Sequence, residues 1–556
     1  MAKNKTPKQN GGAGKTAGTT KSVSSEKVKG EYSIKRHLPL LPIPVIVFLL
    51  VWVWAAWWQG DVFRMVRENS FFAFDKTLMT YEISKPYGIL WCIGRALLTT
   101  FRYPWLGGLL LSLMLTASCW LFGYALRLKP VLRWIQYLPL GIFTSIFTYQ
   151  GLSNYFEAES GHVMGIPFCI LVILLVWAII IRSFSRKPSP SIIKTPKDET
   201  PTQNHLQLII AILMLVIPMA YAHYERPYVR PIAKMQVAVI NQDWKKVIDV
   251  AHDNAEQSYR PLAANYAIAL VQTGQIAESL FDIRLDYDSI YICGLNGDRS
   301  NAANMYIMEC DYYAGLVETA YHHAMESMAM EGPTVRNLKM LCKTSLIRNE
   351  WEVAEKYLTI INKIPFEGDF IAKYQPMLRD TALINAEPEI QMVRLLEPVH
   401  DTFENRYIQP VFLGYNAGLY EGRSINALWN SLMVHIYTKT MQDFLARCQP
   451  LQGSTPPTSV AQALTLMANK NPNLLQMFNG LNMYQGSLVS FIEDTRQYMT
   501  EEVVDTGVIT SAQNRALHAR ALFSKYKGYY PYYYFFGNLK ATKKRTTTES
   551  SSAGVN

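Results

Sequence analysis

Residues 264–283 read "ANYAIALVQTGQIAESLFDI" (Ala264–Ile283). Small and apolar side chains recur at helical spacing as far as Leu270, a polar turn around Gly274 interrupts them, and a second apolar run starts at Ile276. Such a pattern predicts two helices joined by a tight turn. Three other stretches repeat it: "NQDWKKVIDVA" (Asn241–Ala251), "YAGLVETAYHHA" (Tyr313–Ala324) and "RNEWEVAEKYL" (Arg348–Leu358). Each has a polar turn, a large apolar anchor, and small or apolar residues three and seven positions later. The anchors Trp244, Ile276, Val317 and Trp351 fall 32, 41 and 34 residues apart. A period near 34 with two helices per unit predicts an α-solenoid over residues 224–366. Beyond Pro365 the period fades, but helical patterning continues through Ile425–Cys448 towards residue 540, so 367–540 is expected to be a further helical domain.

Ala267, Leu270, Gly274, Ile276 and Ser279 stand where a tetratricopeptide repeat places its helix-packing and turn residues. Trp351, Ala354, Leu358 and Pro365 follow suit in a later unit. The chain resembles that repeat over about residues 230–366, although no full Trp-Leu-Gly-Tyr set occurs. The resemblance implies a concave surface for a protein or peptide and implies no catalysis.

Upstream the composition changes. Residues 1–223 hold 23 Lys+Arg against 10 Asp+Glu, whereas 224–556 hold 31 against 34, so the net charge of +10 originates in the first part. No helix-turn-helix, zinc-finger or RNA-binding signature accompanies it, which argues against a nucleic-acid partner. Residues 1–36, rich in Lys, Gly, Ser and Thr, predict a disordered tail, as does 541–556. Apolar runs at 38–58, 104–126, 134–152, 163–181 and 206–222 predict five membrane spans in a domain covering 37–223. The run at 89–101 is short and carries Arg95, which predicts an interfacial helix. Basic loops at Arg127–Arg133 and Arg182–Lys197 and an acidic loop at Asn154–His162 orient the spans: amino tail in the cytoplasm, everything after His223 outside it. The expected fold class is therefore all-α, a five-span helical membrane domain followed by a tetratricopeptide-like solenoid.

The stretch "KPYGILWCIGRALLTTFRYPWLG" (Lys85–Gly107) and the terminal run "YKGYYPYYYFFGN" (Tyr526–Asn538) give the whole chain a further likeness. It resembles an uncharacterised family of bacterial inner-membrane proteins, a domain of unknown function. That likeness implies a periplasmic position for the helical domain and implies no substrate. The terminal aromatic run itself reads as structural, an end cap or a membrane-facing edge.

Chemistry-bearing residues are few. Asp61, Asp75, Glu82, Glu157, Glu159 and His162 fall on outer loops, where a carboxylate can serve as base for an acceptor hydroxyl. They form no paired-acid motif, and ordinary solvation of loop acids explains them better. His322 and Glu326 share a helix face at zinc spacing, but no third ligand follows, and HExxH is absent. Asp286 and Asp288 lack the glycine and closing glutamate of a calcium loop. Cys92, Cys119 and Cys169 read as small apolar residues of the membrane part. Cys293, Cys310, Cys342 and Cys448 lie where oxidation is allowed and permit three complete pairings, or remain buried thiols. No phosphate-binding loop, dinucleotide fingerprint or nucleophile elbow is present, and no cofactor or metal is expected. These features point to a scaffold or assembly factor of the bacterial inner membrane that binds a protein in the periplasm. The alternative is a membrane enzyme of envelope polysaccharide or lipid modification using the outer-loop carboxylates.

Overall fold

The computed structural model describes residues 43–128, 130–155, 160–184, 201–256, 259–285, 291–293, 299–301, 306–398, 424–504 and 519–537. Residues 43–556 form one compact unit. The predicted disordered tails, Glu157, Glu159, Asp286 and Asp288 lie outside the described residues.

The described chain is helical apart from one two-stranded antiparallel ribbon, Tyr291–Cys293 against Arg299–Asn301. It opens with α1 (Ile43–Val53), which widens into a π-type turn over Trp54–Trp58 and bends by 62° into α2 (Gly60–Glu68). A short α3 (Lys76–Ser84) and α4 (Gly88–Leu98) follow, then α5 (Pro104–Ala125), α6 (Leu138–Gln150), α7 (His162–Phe184) and α8 (Pro201–Glu225). Three of these are long and apolar enough to cross a membrane, over Pro104–Ala125, His162–Ile181 and His205–Glu225, and the bent pair from Ile43 to Glu68 makes a fourth candidate. Half of the apolar window of α5 is buried, against 28% for α7 and 17% for α8, so α5 is the hub and the other two turn their apolar faces outward.

The run at 134–152 is not one helix. A 3-10 stretch, Pro130–Tyr137, precedes the 13-residue α6. Pro139 sits at the first turn of α6, where its missing N–H and ring favour starting a helix over continuing one. The helix expected at 89–101 is the 11-residue α4, with a 3-10 turn over Thr99–Arg102. It packs on α7 backbone to backbone: a Cβ on Gly94 would lie 2.0 Å from the Gly161 carbonyl oxygen.

After α8 the chain folds into helical hairpins. The first pairs α9 (Val229–Ile240) with α10 (Trp244–Asp253), and the second α11 (Arg260–Thr273) with the short α12 (Ile276–Ser279). The third pairs α13 (Ile307–Tyr313) with α14 (Val317–Glu331), and the fourth α15 (Val335–Ile347) with α16 (Trp351–Ile361). Each anchor read from the sequence is the first residue of a second helix. Two positions before it stands a residue of positive φ: Gln242 (58°), Gly274 (71°), Gly315 (88°) and Asn349 (61°). The next N–H reaches back five residues, from Asp243 to Ala238, Gln275 to Leu270, Leu316 to Asp311 and Glu350 to Ser345, at 2.8–2.9 Å. This is the Schellman closure of a helix carboxyl end. The long 41-residue spacing between Ile276 and Val317 accommodates the ribbon.

Small helices α17 (Gly368–Tyr374), α18 (Thr381–Ala386) and α19 (Pro388–Leu396) lead to a fifth hairpin that the sequence pattern did not single out. In it α20 (Ile425–Thr438) turns through Lys439 (φ 58°) into α21 (Met441–Arg447), with Thr440 N–H donating to His435 O at 3.0 Å. The described chain continues through α22 (Thr458–Ala468), α23 (Leu474–Met477) and α24 (Asn482–Val504). Helix α11 is buried on every side from Arg260 to Val271, which explains its lack of a polar stripe.

The aromatic run is a helix, Tyr530–Phe536, started by Pro531. Tyr530 donates to Ile436 O at 3.1 Å and Tyr533 to Tyr437 O at 2.9 Å, and both rings pack on Phe281. It wedges between the second hairpin and α20, an interior position rather than a membrane-facing edge.

Candidate functional site

Asp61, Asp75 and Glu82, the acids singled out that fall among the described residues, hold separate structural posts. Asp75 caps α3 by accepting from Thr77 N–H (3.0 Å) and Leu78 N–H (3.1 Å), and Lys363 Nζ lies 2.7 Å from its other oxygen. The Lys363 hydrogen bond and these two N–H groups hold its carboxyl below the usual range. Glu82 lies between Lys85 (2.8 Å) and Arg95 (2.6 Å). Asp61 is in the first turn of α2, where an acid favours the helix dipole. His162 begins α7 and meets Trp91 edge to face, 6.5 Å between centroids. His323 faces Asp311 at 3.4 Å and Glu326 at 3.8 Å, and among the described residues no group of three His, Cys, Asp or Glu is arranged to hold a metal. Cys310, Cys342 and Cys448 are buried free thiols, so no disulfide forms among these three. Burial pushes Cys342 and Cys448 up to about 12.

Two buried ionic clusters went unnoticed in the sequence. The first joins α2 to the hairpins. Arg67 lies 2.9 Å from Glu68 and pairs with Glu367, and it also donates to Pro365 O at 3.2 Å. Lys339 of α15 bridges Glu68 (3.3 Å) and Glu367 (2.8 Å). The carboxylates are 1% exposed or less, so each ion is stabilised by its partners rather than by water. Backbone bonds reinforce the seam: Val335 N–H donates to Ser70 O at 3.0 Å and Phe74 N–H to Lys363 O at 2.8 Å. An aromatic stack anchors α2 on its other side, with Phe63 between Phe101 (4.4 Å) and Phe147 (4.2 Å).

The second cluster centres on Glu389 of α19. Its carboxylate accepts from Lys343 (2.6 Å), Gln242 (2.6 Å) and Tyr374 (2.8 Å), with Lys373 at 3.4 Å and Tyr313 at 3.5 Å. Burial alone would raise its pKa, but the Lys343 charge and hydrogen bond, helped by Lys373 and Tyr374, bring it down to about 2. Lys343 also sits over the rings of Tyr312, Tyr313 and Tyr374, 5.4–5.9 Å from their centroids. This network binds the turn of the first hairpin to α15, α17 and α19.

Both clusters lock helices together, and of the acids predicted from the sequence Asp75 caps α3 and pairs with Lys363 while Glu82 pairs with Lys85 and Arg95. The first cluster ties the fourth hairpin to α2, and the second ties the turn of the first hairpin to α15, α17 and α19. No curated protein and no solved structure is detectably similar to this chain. Residues 36–156 and 131–537 match the profile of a family of unknown function (DUF6057), and the chain belongs to that family.

Proposed function

We propose that this is a polytopic protein of the bacterial inner membrane whose tetratricopeptide-like helical domain stands in the periplasm and holds a protein partner, as a scaffold or assembly factor. The observation that carries the reading is the single turn geometry shared by five hairpins, joined to α2 by the Arg67–Glu68–Lys339–Glu367 cluster. Hairpins of one geometry present side chains at repeated intervals, which suits an extended peptide or a partner helix.

Five crossings are supported by which helix ends gather beside the hairpins. Arg102 lies 3.9 Å from Glu68, and Tyr103 meets Phe366 edge to face, just before α5 begins. Arg226, just after α8 ends, donates to Gln150 O at the end of α6 (3.1 Å). With the start of α5 and the end of α6 both beside the hairpins, a return of the chain from 126 to 150 across the layer that α5 traverses is the reading these contacts support. The 3-10 run and α6 rise roughly 36 Å together when collinear, enough for a bilayer core. The basic loops then fall on the cytoplasmic side. A phosphatase fused after His223 is expected to be active, and an inactive fusion overturns this orientation.

For the partner, a photocrosslinking residue is placed at the exposed Met330, Leu395 or Ile425 of the full chain in intact cells. Capture of one defined envelope protein supports the scaffold. Turnover of a lipid-linked sugar by the purified chain, with no crosslink from any site, would favour the enzyme instead. That second reading has less support, because Asp75 and Glu82 are engaged in ion pairs.

A further inference from the structure

The buried Arg67–Glu68–Lys339–Glu367 cluster grips the chain on both sides of Phe366. Arg67 donates to Pro365 O at 3.2 Å, and Glu367 pairs with Arg67 and lies 2.8 Å from Lys339. Between these two fixed neighbours Phe366 takes φ 66°, a left-handed conformation that suits glycine better than a residue with a ring. The ring is exposed and meets Tyr103 edge to face at 5.9 Å, immediately before α5 begins. Lys363, three residues earlier on the same loop, accepts at its carbonyl from Phe74 N–H (2.8 Å), and the Phe74 ring is exposed too. Burial explains neither ring.

The pairing of an exposed ring with the chain after α8 recurs along this border. Arg230 of α9 lies over Trp58, 3.8 Å from the ring centroid, at the end of the π-type turn. Arg226 lies over Tyr149, 5.0 Å from the ring centroid, near the end of α6. Both rings are exposed. Aromatic rings, those with polar tips above all, favour the headgroup level of a bilayer. From Tyr103 the exposed apolar surface continues along α5 through Trp105 and Leu113, and α7 and α8 turn apolar faces outward as well. A border that runs on into such faces is covered by what covers them, and helices of this length and hydropathy fit a bilayer.

We propose that the loop after the fourth hairpin docks on the bilayer surface, with Phe366 and Phe74 set in the headgroup layer beside Tyr103. The buried cluster fixes the backbone on either side of Phe366 and so holds its ring at that level. The helical domain is then attached to the lipid twice, covalently through α8 and by contact through this loop. The proposal rests on the membrane placement of α5 and α7 and is independent of what protein the hairpins bind.

The test uses the full chain in nanodiscs of phosphatidylcholine and phosphatidylglycerol, with the photoreactive analogue benzoylphenylalanine replacing one residue at a time. Phe366 and Phe74 are the test positions. Ile173, exposed on α7, is the reference for lipid contact, and Met330, exposed at the end of α14, is the reference for water. After illumination, mass spectrometry of the digested chain reads which peptides carry a lipid. Lipid adducts are expected at Phe366, Phe74 and Ile173, with none at Met330. If the larger ring at Phe366 lowers the melting temperature, Phe74 decides the outcome. Adducts at Ile173 without any at the test positions overturn the proposal, and so do adducts at Met330 as abundant as those at Phe366 and Phe74. A crosslink from Phe366 to a second protein chain in place of lipid overturns it as well. Absence of adducts at Ile173 would instead overturn the membrane reading on which it rests.

Discussion

Lys339 Nζ stands 3.3 Å from Glu68 Oε2, across 271 residues of sequence, and ties the helix that follows the first apolar segment to the fourth hairpin. Glu367 and Arg67 complete the cluster, so two acids and Arg67 are buried, with Lys339 largely covered, between α2 and the hairpins. Removing one acid leaves a buried cation without its partner. Glu68→Ala and Glu367→Ala are each expected to destabilise the chain by about 3–5 kcal/mol. The double variant Glu68→Met/Lys339→Met should lose less than the sum of the two single changes. Chemical unfolding of the detergent-solubilised chain provides the measurement, and additive losses would show that the pair is uncoupled.

Acid should loosen the Glu389 cluster. Its folded pKa, about 2, lies below its ordinary value of 4.5, so it stabilises the fold fully above about pH 4.5 and loses that contribution as pH falls towards 2. The depression corresponds to roughly 3 kcal/mol at neutral pH. Glu389→Gln should therefore be clearly less stable than the native chain at pH 7, with the gap narrowing by pH 3. A gap independent of pH would show that the carboxylate is not ionised in the folded state.

The shared turn gives opposite effects at two of its positions. Asn349 adopts φ 61°, a conformation that costs a residue with a Cβ more than it costs glycine. Asn349→Gly is expected to be neutral or stabilising by up to about 1 kcal/mol. Gly315 has φ 88°, and a Cβ there would lie 2.5 Å from the Leu396 carbonyl carbon. Gly315→Ala should cost upwards of about 2 kcal/mol, combining strain and overpacking. Melting temperatures of both variants decide the sign.

Tyr530→Phe and Tyr533→Phe each remove a buried hydrogen bond to a carbonyl of α20, at Ile436 and Tyr437 respectively. A loss of about 0.5–1.5 kcal/mol is expected for each. Tyr534→Phe, whose ring is only partly buried, serves as the comparison and should be nearly silent. Equal effects for all three would argue against the interior position of this helix.

Cys310, Cys342 and Cys448 should resist maleimide in the native chain and react once it is unfolded, with no change in reactivity after reduction. Burial excludes the reagent and also keeps these thiols protonated at neutral pH. Rapid native labelling at these three positions would contradict their burial.

Four of the turns were legible because their determinants are local. A large apolar residue two positions after a turn residue starts the second helix, and both lie within one short window at Trp244, Ile276, Val317 and Trp351. The fifth turn escaped because its anchor, Met441, lies 90 residues after Trp351, outside the period near 34 that links the other anchors. Pro139 could have signalled that the segment at 134–152 restarts as α6, but hydropathy over a window of that length averages the break away.

The long apolar helices, the basic loops and the hairpin period follow from residues within a turn or two of one another, and the sequence alone determined them. The tertiary structure decided what the charges do. Asp75, Glu82, Glu68 and Glu367 look alike on the page, as acids in polar surroundings, and differ only in the cation that folding brings to each. A buried ion pair depends on geometry between segments far apart in sequence and carries no periodic signature. The aromatic run shows the same division: its composition announced burial, and only the fold placed Tyr530 and Tyr533 against Phe281 and the last hairpin.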